Sequence, residues 1–145
     1  MQLSNKIVYG LQFLLKLCES QENQYTQVKD VAQKESISGK YLEHVVAQLK
    51  SSGLIEVKRG ARGGYRLLKK ANEITLLEIY NALEKIDIKP TETKESNVNE
   101  SLIRKTIFEF LTEFEEIIIE YLKNKTLADL NLQKSKLIEY INFQI

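Results

Sequence analysis

The chain has 145 residues, 43% of them apolar, with one proline, six glycines and a formal net charge of +1. This is enough for one domain with an appended helix and a real core, and too few loop formers for a largely disordered chain. A single cysteine, Cys18, excludes an internal disulfide and any site built from several thiolates. No leader peptide and no apolar run near the ~20 residues that span a bilayer is visible, so a cytoplasmic location is expected.

The near-neutral total hides an uneven distribution. Residues 1–70 hold twelve Lys and Arg against six Asp and Glu, a net +6, while residues 71–145 hold nine against fourteen, a net −5. A basic half joined to an acidic half is a nucleic-acid signal.

In chain order, Ser4 is a plausible N-cap for a first helix reaching about Cys18, with Ile7, Leu11, Leu14, Leu15 and Cys18 on one apolar stripe. Cys18 reads there as a small apolar residue rather than a redox thiol. After a polar loop, Thr26 is expected to cap a short helix to about Lys34, burying Val28, Val31 and Ala32. The turn Glu35-Ser36-Ile37 leads to Ser38, the cap of a third helix that ends at Gly53. Leu42, Val45, Val46 and Leu49 form its inward stripe, and the opposite face carries Lys40, His44, Ala47 and Gln48, flanked by Tyr41 and Glu43. A polar face with no core to build is what a helix lying in a major groove requires.

Two short strands, Leu54–Lys58 and Tyr65–Leu68, bracket the loop Arg59-Gly60-Ala61-Arg62-Gly63-Gly64. Three glycines let bare backbone approach a polyanion, and two arginines can enter a minor groove. A further helix is predicted from a Thr75 cap to about Lys85, burying Leu76, Ile79, Tyr80 and Leu83. The expected fold class is therefore mainly α with a small β-hairpin wing: a winged helix-turn-helix domain over residues 1–86.

Residues 87–99 are polar, contain Pro90 and read as a mobile linker. From about Asn99 to Asn124, Ile103, Ile107, Phe110, Phe114, Ile117 and Tyr121 recur at alternating spacings of four and three, a heptad seam that Leu111 and Ile118 widen. Glu109, Glu113, Glu116 and Glu120 repeat that spacing on another, solvated face. Such a helix, about 39 Å long at 1.5 Å per residue, is too long for so small a head to bury. Residues 100–125 are thus expected to be a dimerisation helix, with a short helix and tail over 126–145.

The segments Met1–Ser4, Ile37–Glu43, Ser52–Ile55, Arg59–Leu67, Ile74–Ile79 and Thr126–Leu130, in this order, resemble the Rrf2 family of bacterial winged-helix regulators, the type of IscR, NsrR and CymR. The resemblance spans about Met1 to Leu130. It implies a homodimeric transcription factor, usually a repressor, on a partly palindromic operator in double-stranded DNA. Many members hold an iron–sulfur cluster on three cysteines before the long helix, but residues 89–105 here contain none. Since such clusters need thiolates, the chain is expected to bind no metal or other cofactor and to resemble the cluster-free branch, which senses a metabolite, a partner protein or a thiol modification.

The candidate site follows. Lys40, Tyr41, Glu43, His44 and Gln48 are expected in the major groove, Glu43 accepting from a cytosine amino group and Gln48 pairing with adenine. Lys58, Arg59, Arg62 and Gly63 form the wing. Ser4, Lys6, Ser38 and Lys58 are expected to touch phosphates. His44 has no second histidine or cysteine nearby in sequence to make a metal site, and no nucleophile–base pairing suggests an enzyme. The alternative is a winged-helix module that docks another protein and whose DNA binding is vestigial.

Overall fold

The computed structural model describes residues 3–88 and 101–145; from residue 89 onward the expected linker lies outside them, as do Met1 and Gln2. Helix α1 (Asn5–Cys18) starts at the expected cap, where the Ser4 hydroxyl accepts from the Ile7 N–H at 3.4 Å. Its buried arc is Ile7, Gly10, Phe13, Leu14 and Leu17, while Leu11, Leu15 and Cys18 are only half-buried. The stripe is turned from the predicted one because α1 is covered by several neighbours: helices on one side, and strand β2 on another. Phe13 accordingly meets Tyr65 edge-on, with ring centroids 6.0 Å apart.

Helix α2 (Val28–Lys34) begins later than predicted. Gln27 takes the N-cap position without a side-chain bond. Thr26 does not cap it: its N–H donates to the Tyr65 carbonyl at 2.9 Å, and the Tyr65 N–H donates back at 2.8 Å. This bridge pairs backbone groups that would otherwise lie open on the edge of β2. The Thr26 hydroxyl meets that of Ser20 instead, at 2.7 Å. Helix α3 (Gly39–Ser51) follows, with Ser38 as its cap and Leu42, Val45, Val46 and Leu49 fully buried, as the spacing predicts.

Strands β1 (Ile55–Lys58) and β2 (Gly64–Leu67) pair antiparallel, Ile55 opposite Leu67 and Lys58 opposite Gly64. Alternation sends Ile55 into the core and Glu56, Lys58 and Arg66 to the outer face.

Helix α4 (Leu76–Leu83) ends sooner than expected, as the backbone becomes extended at Glu84. Its start is a reciprocal cap: the Thr75 hydroxyl accepts from the Glu78 N–H, and the Glu78 carboxylate accepts from the Thr75 N–H at 2.8 Å. That backbone bond, helped by Lys69, holds the Glu78 carboxyl below its ordinary 4.5. An unfolded glutamate therefore binds its proton at a pH where the folded one has none. The resulting stabilisation is fully present above pH 4.5 and disappears as pH falls through the depressed folded value. Glu78→Gln is expected to flatten that part of the acid-unfolding curve, measured by circular dichroism, while leaving the neutral fold intact.

Helix α5 (Leu102–Lys123) presents two faces. Phe108, Leu111, Ile118, Ile119 and Leu122 are half-buried by the chain itself, so Leu111 and Ile118 belong to the covered side rather than to a widened seam. The six seam residues are all exposed, from 37% for Phe114 to 74% for Ile103. The turn into α6 (Leu127–Gln144) is stitched to the start of α4. The Leu76 N–H donates to the Lys125 carbonyl at 2.8 Å and the Leu127 N–H to that of Ile74 at 2.9 Å. The short helix and tail predicted for 126–145 is one helix of 18 residues. A second reciprocal cap, Thr126 with Asp129, starts it, and no glycine or proline interrupts it. Lys134 ties it to the end of α1 through Glu19 at 3.0 Å.

Candidate nucleic-acid interface

The predicted site residues fall on three elements. On α3, Lys40, Glu43, His44 and Ala47 are exposed on the face opposite the core stripe. Tyr41 is partly held, its ring edge-on to Tyr9 of α1 with centroids 5.7 Å apart. Gln48 is less available than its helical position suggests. A cleft of about 250 Å³ runs between His44, Gln48 and Ser52 on α3 and Ala82 on α4, and the Gln48 Oε1 is buried there without a hydrogen-bond partner among the described residues.

The hairpin tip is open. Arg59, Gly60, Ala61 and Arg62 are exposed, and neither arginine makes a hydrogen bond or ion pair to a described residue. Gly63 is different: it is buried, and its N–H donates to the Gly60 carbonyl at 3.0 Å. A Cβ there would stand 2.1 Å from the Lys58 carbonyl oxygen, and one on Gly64 would stand 2.5 Å from that of Thr26. These glycines close the turn and admit the Thr26 bridge, so Gly63 shapes the wing from within. Gly63→Ala is expected to destabilise the fold by about 1–3 kcal/mol, as overpacking against backbone does, read as a lower urea midpoint.

The residues expected at phosphates have structural partners as well. Ser4 and Ser38 cap α1 and α3, and the Lys6 ammonium donates to the Leu83 carbonyl at the end of α4, at 3.4 Å. Lys58 lies over the Tyr25 ring, 5.5 Å from its centroid. Tyr25 and Arg66 went unnoticed in the sequence. The available signal was Tyr25-Thr26, a pair of strand formers just before a helix. Burial pushes the Cys18 thiol up from 9.0 despite nearby Lys134, which works against a reactive thiolate. Among the described residues no three His, Cys, Asp or Glu side chains gather as a metal site, and no helix is long and apolar enough to cross a membrane.

A helix with a buried apolar stripe and an open polar face, set between a supporting helix and a basic hairpin, defines the winged helix-turn-helix class of DNA-binding regulators. Residues 3–132 match the Rrf2 family, described as iron-dependent transcriptional regulators. The chain belongs to that family. It is 34% identical to the regulator NsrR of Geobacillus kaustophilus over 136 residues, covering 90% of this chain and 89% of that one. With Protein rrf2 of Nitratidesulfovibrio vulgaris it shares 37% over 97 residues, 67% of this chain but only 64% of the relative. Among solved structures it is similar to CymR, the global cysteine regulator of B. subtilis, with a TM-score of 0.70 and 32% identity over 92% of this chain and 98% of that one. IscR of T. potens gives a TM-score of 0.72 at 28% identity, over 93% of this chain and 88% of that one.

Proposed function

We propose that the protein is a homodimeric, sequence-specific transcriptional regulator, acting as a repressor and working without an iron–sulfur cluster. The observation that carries the reading is the coexistence of two unfilled surfaces: a polar α3 face beside an uncompensated arginine tip, and an apolar α5 seam with no neighbour of its own chain. The first suits a duplex and the second suits a second subunit. In this reading residues 1–86 bind DNA and residues 100–125 join the subunits, as in the division expected from the sequence.

On the operator, Lys40, Tyr41, Glu43 and His44 would meet base edges in the major groove, with Gln48 reaching them only after leaving its cleft. Arg59 and Arg62 would enter the adjacent minor groove, where a narrow A·T-rich stretch concentrates negative potential. Glu43 supports specificity rather than affinity, since a carboxylate near phosphates is repelled unless a cytosine amino group meets it. Two subunits would span half-sites about one or two helical turns apart.

The donors of this chain do not fit a thiolate-bound iron–sulfur centre. Its one cysteine lies half-buried on α1 and its one histidine is exposed on α3. The signal is accordingly assigned to a small molecule or a regulatory protein. The test is selection from a random duplex pool. The reading expects one enriched, partly palindromic motif; a pool that stays random while a stable protein complex is recovered from cells would favour the protein-docking alternative.

A further inference from the structure

We infer that Tyr25, in the loop between α1 and α2, is the positioning residue of the wing, fixing how Arg59 and Arg62 are presented to a duplex. The inference rests on the DNA-binding reading above. Lys58 and Arg66 lie on one face of the hairpin and share the Tyr25 ring, at 5.5 and 5.1 Å from its centroid. Arg66 is held further, its Nε donating to the Glu56 carboxylate and its Nη1 donating to Asn23 Oδ1 at 3.4 Å. The next residue, Thr26, closes the backbone bridge to Tyr65. One short loop thus grips both strands of the wing, by a cation–aromatic stack outside and by paired backbone groups at the edge.

The grip matters because the tip has no support of its own. Arg59 follows directly on Lys58, and neither Arg59 nor Arg62 is bonded to a described residue. Their direction is set by the base of the hairpin. Attraction to phosphates needs only the charges, whereas entry into one groove at one register needs them aimed. A loosened wing must be ordered on binding, which weakens the specific complex and spares the non-specific one.

The test compares Tyr25→Leu, Tyr25→Phe and Arg66→Gln with the wild-type full chain, using the duplex that the wild type enriches from a random pool and a random duplex of equal length. Tyr25→Leu is expected to reduce the preference for the enriched duplex roughly tenfold, the loss of two modest cation–aromatic contacts. Its affinity for the random duplex should stay unchanged. Tyr25→Phe keeps the ring and should keep the preference. Arg66→Gln should lose part of it, and carries the test if Tyr25→Leu does not fold. Undiminished preference in folded Tyr25→Leu, or an equal loss in Tyr25→Phe, would overturn the inference while leaving the DNA-binding reading in place. A wild type that enriches nothing removes that reading, and this inference with it.

Discussion

Replacing Arg59 and Arg62 together with alanine is expected to weaken operator binding about a hundredfold or more while leaving the melting temperature almost unmoved. Both side chains are exposed and unbonded to described residues, so their removal should shift stability by no more than about 0.5 kcal/mol, the ordinary range for surface positions. A specific groove or base contact contributes about 1–3 kcal/mol, and two of them lost together exceed the hundredfold mark. The loss should also lower the slope of log affinity against log salt, because fewer counterions are released when fewer cations meet the duplex. Fluorescence anisotropy across a salt series measures both quantities. Wild-type affinity and slope in the double variant would remove the wing from the interface.

Phe110→Glu is expected to have the other large effect, converting the dimer to monomer. Phe110 is 63% exposed in the single chain, and its ring lies parallel to that of Phe114, centroids 6.3 Å apart, in the middle of the seam. In a two-fold interface each substitution occurs twice. Loss of a central aromatic anchor costs about 2–4 kcal/mol, and a carboxylate in its place adds desolvation. Glu109 and Glu113 flank the position and would repel the new charge further. The monomer should still melt cooperatively, since the core residues of α1, α3 and α4 do not include the seam. It should bind the operator far more weakly, having lost the second half-site. Sedimentation equilibrium decides it; a variant that stays dimeric would place the subunit contact elsewhere.

Both expectations draw on features that the amino-acid sequence already exposes, and the reason is physical. The α3 stripe Leu42, Val45, Val46 and Leu49 is legible because one face meets the core and the other meets none, so period and burial coincide. Reciprocal caps are legible for a similar reason: Thr75 with Glu78 acts within one turn and needs no distant partner. Where tertiary contacts decide, the reading slips. Thr26 has the chemistry of a cap, but Tyr65, far along the chain, claims its backbone. The α1 stripe turns because neighbours on several sides compete for it. Helix α6 was read as ending early because Leu132, Leu137, Ile138, Tyr140, Ile141 and Phe143 scatter round its axis, leaving no clean period to recognise. Within the candidate site the exposed arginines were visible as residues. The Tyr25 ring beneath Lys58 was not, since nothing local links a loop tyrosine to a hairpin beyond the next two helices.

Paired subunits gripping one duplex are the core of this account, and the mass of the complex on the enriched duplex tests it most directly. Sedimentation at equimolar and excess protein should give two chains per duplex, with no stable species carrying one. A complex of one chain per duplex, or one that random competitor displaces as readily as the enriched sequence does, would contradict it.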